Sequence, residues 1–252
     1  MPTREDLPVP LYYRIREDLR ESIVSGQLKP GDRLSSEREL SKQYKVSSIT
    51  AKRAVLDLVQ EGLLYRVPGK GTFVSQPKME RNLSQLTSFT EEMLHHGLEP
   101  NSTVLDAGTI PASGTIAKRL DLPPGEEVIC LERVRFANGD PLMLEKTFLP
   151  HRIFPGLLSE DLASQSLYHF ITHKYGVSLV KARETLEPVV INDKEAQNLA
   201  VEEGSPGLLL ELVAYTNNEK PIEYTKAIVR GDRCKYYIEM AGFREETDRS
   251  AR

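Results

Sequence analysis

Cysteine is nearly absent from the sequence: Cys130 and Cys234 are the only two in 252 residues. Two thiols about a hundred positions apart make no disulfide framework and too few ligands for a cysteine-built zinc site, so both are expected to be reduced. Long apolar runs are missing too. A membrane-spanning helix needs about 20 consecutive apolar residues, whereas Leu208–Leu210 runs straight into Glu211. The opening Met1-Pro2-Thr3-Arg4-Glu5-Asp6 lacks the apolar core of a secretory signal, which predicts a cytoplasmic protein with no membrane partner. There is no Gly-x-Ser-x-Gly turn for a nucleophilic serine and no phosphate loop, since Gly69-Lys70-Gly71 lacks the required spacing. His169 and His173 stand at i, i+4 without an intervening Glu or a third ligand nearby, the pattern of a surface helix rather than a metal site. His95-His96 reads as a helix end before Gly97. No metal or cofactor is expected.

With 39% hydrophobic and 28% charged residues, the composition is that of a globular protein, long enough for two domains with separate cores. The net charge of −4 and pI near 5.8 argue, as averages, against a nucleic-acid partner. The average conceals an asymmetry. Residues 1–75 hold 13 Lys and Arg against 10 Asp and Glu, a balance of +3, which leaves −7 for the rest. A basic head and an acidic body suggest divided labour.

In the head, Leu11, Tyr12, Ile15, Leu19 and Ile23 recur at helical spacing behind Pro10, predicting a helix from Leu11 to Ser25 that Gly26 ends. Pro30-Gly31-Asp32 is a turn, and Ser36-Glu37-Arg38-Glu39 is a capping box opening a second helix with Leu40 and Tyr44 on one face. Ser47 or Ser48 caps a third helix, with Ile49, Ala54, Val55, Leu58 and Val59 expected inward and Gly62 closing it. Leu63–Val67 and Thr72–Ser75 then form a hairpin across Pro68-Gly69-Lys70-Gly71. Three helices and a basic-tipped hairpin are the pattern of a winged helix-turn-helix.

Beyond Ser75 the pattern changes. Residues 76–84 read as a polar linker, and 246–252 as a polar tail. Between them, strands are expected at Ser102–Ile110, Glu127–Asn138, Pro141–Leu149, Val177–Ile191, Gly207–Asn217, Pro221–Arg230 and Lys235–Phe243. Helices are expected at Phe89–His96, Ser113–Leu120, Ser166–Lys174 and Asp193–Leu199, so residues 85–245 form an α+β domain dominated by antiparallel sheet.

In a helix-turn-helix the second helix of the motif lays its first residues in the major groove, which puts Ser47, Ser48, Thr50, Lys52 and Arg53 toward bases or phosphates. Lys52 and Arg53 alone would be an ordinary solvated pair. Together with Arg38, Arg66 and Lys70 they make the basic footprint that a phosphate backbone requires, and Gly71 permits close approach to a minor groove.

Four motifs in order carry a family resemblance: Leu34-Ser35-Ser36-Glu37-Arg38-Glu39-Leu40, Lys52-Arg53-Ala54-Val55-Leu56, Glu61-Gly62-Leu63-Leu64-Tyr65-Arg66 and Gly69-Lys70-Gly71-Thr72-Phe73-Val74. They resemble the DNA-binding domain of the GntR family, in which residues matching Arg38, Ser48, Thr50, Lys52 and Gly71 touch DNA. The family usually has Arg where this chain has Ser48 and Lys52, and Pro at Ser35. The loss of an Arg removes a guanine contact of about 1–3 kcal/mol of discrimination. Residues 76–243 resemble the UTRA domain of the HutC subfamily. Gly71–Leu105, with Lys78-Met79-Glu80 and Leu86-Thr87-Ser88-Phe89-Thr90-Glu91, is similar to regulators of N-acetylglucosamine utilisation. The resemblance implies a chorismate-lyase-like fold without lyase chemistry, and a pocket for a phosphorylated amino sugar.

The residues offer such a pocket independently. Ser88, Phe89 and Thr90 open a predicted helix. Arg133 and Arg135 project from one face of one strand and can clamp a phosphate. Ser166 and Tyr168 supply hydroxyls, while Glu145 and Glu223 can accept hydrogen bonds from a sugar or its amino group. By resemblance these match the family's phosphate ligands and sugar-reading carboxylates, and Arg230 in Val229-Arg230-Gly231-Asp232 matches its closing motif. Ordinary strand ion pairs, a helix cap and surface carboxylates are the plainer readings of the same residues. The expectation is a non-enzymatic repressor, acting as a homodimer on double-stranded palindromic operator DNA and released by N-acetylglucosamine 6-phosphate or glucosamine 6-phosphate. The alternatives are a lyase-like enzyme acting on a small anion, or the same regulator class with another anionic effector.

Overall fold

The computed structural model describes residues 10–67 and 69–240. They divide into two units, the first ending at Lys78 and the second beginning at Met79. No helix among the described residues is long and apolar enough to cross a membrane.

In the first unit, Pro10 precedes Leu11–Val24 (α1), and Ser36 opens Glu37–Gln43 (α2) with both halves of the capping box formed: its hydroxyl accepts from the Glu39 N–H and its own N–H donates to the Glu39 carboxylate at 2.8 Å. Ser47 caps Ser48–Gln60 (α3) by accepting from the Thr50 N–H at 3.1 Å. Ala51, Ala54, Val55 and Leu58 of α3 pack against Ile15 and Leu19 of α1 and Leu40 of α2. Ile49, expected in this core, is instead 81% exposed. The helical period explains the correction: two residues before Ala51, Ile49 sits about 200° around the helix, on the opposite face. Leu64–Val67 (β1) and Gly71–Val74 (β2) form the antiparallel hairpin, with Val67 opposite Gly71. Pro68 lies outside the described residues. Gly71 has φ +128°, a backbone conformation that L side chains rarely adopt, so the position favours glycine.

The second unit is built on one six-stranded antiparallel sheet. Its strands are Pro100–Pro111 (β4, after β3 below), Glu127–Ala137 (β5), Asp140–Pro150 (β6), Leu179–Val190 (β7), Pro206–Thr216 (β8) and Pro221–Arg230 (β9), in the order β4-β5-β6-β9-β8-β7. Asn138 and Gly139, both at positive φ, turn β5 into β6, and a register shift between Arg135 and Phe136 then sets Arg133 opposite Glu145. Gly114–Leu120 (α5) and Asp193–Leu199 (α7) cover one face, α5 against Val128, Cys130, Phe148 and Tyr224 and α7 against Leu144 and Ile228. Phe89–His95 (α4) and Leu167–Tyr175 (α6) lie over the other.

That second face also carries a strand pair that the sequence reading did not anticipate. Met79–Asn82 (β3) lies inside the segment expected to be a linker, and it pairs in parallel with Cys234–Tyr237 (β10). The strand expected at Lys235–Phe243 therefore starts at Cys234 and ends at Tyr237, and residues 241–243, like the expected tail, lie outside the described residues. Met79, Cys234 and Tyr236 seat this ribbon on Leu210, Leu212, Ala227 and Val229 of the large sheet.

Where β9 ends, the Gly231 N–H donates to the Pro206 carbonyl at 3.1 Å, and a Cβ on Gly231 would lie 2.8 Å from that same oxygen. Gly231→Ala is expected to destabilise the protein by about 1–3 kcal/mol, as overpacking against backbone does. Gly108→Ala, on β4 with nothing within 4 Å of the added methyl, should leave the urea midpoint nearly unchanged; equal midpoints for both variants would contradict the packing described.

Candidate functional site

The first unit presents a polar groove between the start of α2 and the β1–β2 hairpin, lined by Arg33, Arg38, Arg66, Lys70 and Gly71. Arg38, Ser48, Lys52 and Lys70 are exposed. The other predicted contacts are partly committed within the fold. The Ser47 and Thr50 hydroxyls lie 2.8 Å apart at the cap of α3, Arg53 stacks on the Tyr12 ring at 4.0 Å, and Arg66 pairs with Glu37 at 2.5 Å. Arg33, which sequence reasoning passed over, is brought in by an isolated bridge between its backbone and that of Phe73 on β2.

The second unit encloses a cavity on the α4/α6 face of its sheet, with about 770 Å³ of space unfilled by protein atoms, its mouth included. The floor is the sheet: Arg133 and Arg135 from β5, Glu145 and Thr147 from β6, Glu223 and Thr225 from β9. These are alternate residues on their strands, hence on one face. Ser88, Phe89 and Thr90 at the start of α4, and Ser166 and Tyr168 at the start of α6, line the walls. Arg230 does not line it. Its guanidinium donates to the Asp232 carboxylate at 2.7 and 3.0 Å and to the carbonyls of Pro141 and Leu199 at 3.1 and 3.3 Å, a structural tie at the end of β9.

The floor is dominated by buried charge. Arg133 pairs with Glu145 and donates to the Leu162 carbonyl at 3.1 Å; Arg135 reaches the same Glu145 oxygen at 3.2 Å and stacks on the Phe89 ring at 4.4 Å. All three are at most 7% exposed. Burial alone would raise the Glu145 carboxyl, yet the two guanidinium groups outweigh it and hold it below the usual carboxylate value. Arg135 is pulled down to about 10 by burial and by Arg133, against the pull of Glu145, a measure of a cation with too little compensating charge. Burial raises the Glu223 carboxyl, while the hydroxyls of Tyr168 and Thr225, from which it accepts, pull it the other way. Both guanidinium groups pair with the one Glu145 carboxylate, and the Nε atoms of Arg133 and Arg135 and Oε2 of Glu223 are buried without hydrogen-bond partners. Oxyanion oxygens can accept from the two Nε–H groups, whereas the Glu223 oxygen calls for a donor such as a hydroxyl or amino group. Ser88 and Ser166 each accept a helix-capping N–H through one lone pair and keep an O–H to donate.

Sequence reasoning missed the charges on the ribbon side. Arg81 of β3 bridges Glu92 of α4 at 3.0 Å and Glu184 of β7 at 2.9 Å, and Arg81 and Glu92 both line the cavity. Thr147 and Thr225, whose hydroxyls are 2.8 Å apart, were legible as the alternation Glu145-x-Thr147 and Glu223-x-Thr225. Both cysteines are free thiols; Cys130 is core and Cys234 lines the cavity. Among the described residues no cluster of three or more His, Cys, Asp or Glu is placed to hold a metal ion.

The model for bacterial regulatory proteins of the gntR family matches residues 11–74, and that for the UTRA domain matches residues 95–235. The chain belongs to the GntR family. This GntR regulator is 38% identical to the HTH-type transcriptional repressor NagR of Bacillus subtilis (strain 168), over 91% of this chain and 94% of that one. It is 30% identical to the mannosyl-D-glycerate transport/metabolism system repressor MngR of Escherichia coli (strain K12), over 91% and 95%. The crystal structure of PhnF from Mycobacterium smegmatis superposes with a TM-score of 0.65 at 28% identity, covering 91% of this chain and 100% of that one. The regulator is a DNA-binding transcriptional repressor of the GntR/HutC type, and the fold and the relatives are those of regulators rather than of a lyase.

Two outcomes follow from the buried charges. Glu145→Gln leaves two buried guanidinium groups facing each other and should cost about 3–5 kcal/mol in urea unfolding, part of it recovered in phosphate or sulfate; an unchanged midpoint would contradict the charge count. Burial raises Glu92 from 4.5 to about 6, with Glu184 adding to it and Arg81 opposing. A folded value above the unfolded one means that its stabilising contribution is complete below pH 4.5 and is lost as pH rises through about 6. The parent protein should therefore lose stability between about pH 5 and 7, and Glu92→Gln should flatten that decline.

Proposed function

We propose that this repressor binds a palindromic operator as a homodimer in the cytoplasm and releases it when a phosphorylated amino sugar, N-acetylglucosamine 6-phosphate or glucosamine 6-phosphate, fills the second-unit cavity. The observation that carries the reading is the pair of buried guanidinium groups sharing one carboxylate, each with an Nε left without a hydrogen-bond partner. Arg133 and Arg135, with Ser88, Thr90, Ser166 and Tyr168, hold the phosphate; Glu145 and Glu223 read hydroxyl and amino groups of the sugar. The similarity of Gly71–Leu105 to regulators of N-acetylglucosamine utilisation supports the amino sugar, and the sugar acid in the name of MngR supports the broader class of anionic carbohydrates.

In the head, Arg38, Ser47, Ser48, Thr50, Lys52, Arg53, Arg66, Lys70 and Gly71 form the DNA contact, α3 in the major groove and the hairpin tip on the minor groove. Release requires that the effector favour the conformation that holds DNA less well, by a coupling of about 1–3 kcal/mol. The route we favour is β3: the chain leaves the first unit at Lys78 and enters at Met79 a strand whose Met79 and Arg81 line the cavity.

A fluorescence-anisotropy titration of the full chain on its own upstream DNA tests this. Binding should weaken with one of the two phosphosugars and not with their unphosphorylated forms, and Arg135→Ala should keep DNA affinity while the effector's potency drops about 10- to 100-fold, the span of a lost charge-assisted contact. Tight binding that no phosphosugar disturbs would overturn the effector, and release by a different anion would replace it.

A further inference from the structure

The first turn of α3 carries an apolar side chain that the fold does not use. Ile49 is 81% exposed, while the inward face of the helix is complete with Ala51, Ala54, Val55 and Leu58. A single exposed isoleucine is unremarkable on an ordinary surface. Here it projects from the start of the helix that a helix-turn-helix lays in the major groove, where N-terminal residues meet base edges. Its neighbours narrow what that turn can read. The Ser47 and Thr50 hydroxyls are hydrogen-bonded to each other, and Ser47 also accepts the Thr50 N–H. The Arg53 guanidinium lies on Tyr12 of α1. Ser48, Ile49 and Lys52 are exposed, and of the exposed side chains of this turn Ile49 is the apolar one. In the major groove one base alone offers an apolar group, the C5-methyl of thymine. A β-branched side chain in a helix is held to few rotamers, so such a contact needs little ordering.

We propose that Ile49 is a sequence-reading residue of the operator interface, packing on the C5-methyl of a thymine. The assignment rests on the head binding operator DNA.

The test uses the full chain and a duplex selected by it from a randomised pool, with each thymine replaced singly by deoxyuridine, which removes only the methyl. Anisotropy titration should find one thymine position per half-site where the replacement weakens binding about fourfold, the worth of one buried methyl-sized group. Ile49→Ala should bind the parent duplex more weakly and be indifferent to deoxyuridine at that position, whereas Ile49→Val should keep the sensitivity. Because the residue is exposed, both variants should match the parent in thermal unfolding. A duplex with no sensitive thymine, or an Ile49→Ala variant with the same deoxyuridine penalty, overturns the proposal while leaving DNA binding and effector release intact in the same assay. Failure to select any duplex would instead bring down the DNA-binding reading, and this assignment with it.

Discussion

Two arginines buried in the floor of a sheet constrain everything around them. Arg133 and Arg135 can sit there only because Glu145 faces them across the β5–β6 ladder, and Glu145 faces them only because the Asn138-Gly139 turn and the register shift that follows it between Arg135 and Phe136 together fix that pairing. A slip of one residue would turn both cations to the opposite face, toward Leu144 and Ile228 beneath α7. The same alternation puts Thr147, Glu223 and Thr225 on the charged face. The register of one hairpin is thus also the chemistry of the cavity.

The two units solve opposite electrostatic problems. In the head, cations stay at the surface around the groove, where each is hydrated and inexpensive to hold and where a polyanion can collect several of them at once. In the second unit the cations are withdrawn from water, which makes a partner of opposite charge far more valuable there than at the surface. The first arrangement suits a long charged backbone met over many shallow contacts. The second suits a small anion recognised by a few deep ones.

Local features of this architecture were readable in the residues. The capping boxes at Ser36 and Ser88 and the helical spacing of α1 depend on neighbours within one or two turns, and strand alternation placed Arg133 beside Arg135 without knowledge of the partner strands. What was not readable depends on distant partners. β3 is four residues long, and its ladder partner carries no mark linking the two. Arg81 and Glu92 acquire meaning only when β3 is laid beside α4. Arg230 shows the converse: a family motif pointed to the cavity, whereas the nearby Asp232 and two carbonyls hold the side chain at the strand end. Ile49 was misplaced because an apolar residue near a core-facing helix invites an inward reading that its angular position forbids.

The pairing of β3 with β10 joins residues 155 positions apart, as the Glu80–Lys235 contact shows. Contacts of such separation form late, after local helices and hairpins, because a long loop must close before any of its contacts can reward it. The strand pair is also part of the cavity wall, through Met79, Arg81, Cys234 and Tyr236. During synthesis the head has all its residues long before the cavity has its own. A newborn chain therefore acquires the fold that reads DNA well ahead of the pocket proposed to receive its signal, and it becomes responsive only with the last strand.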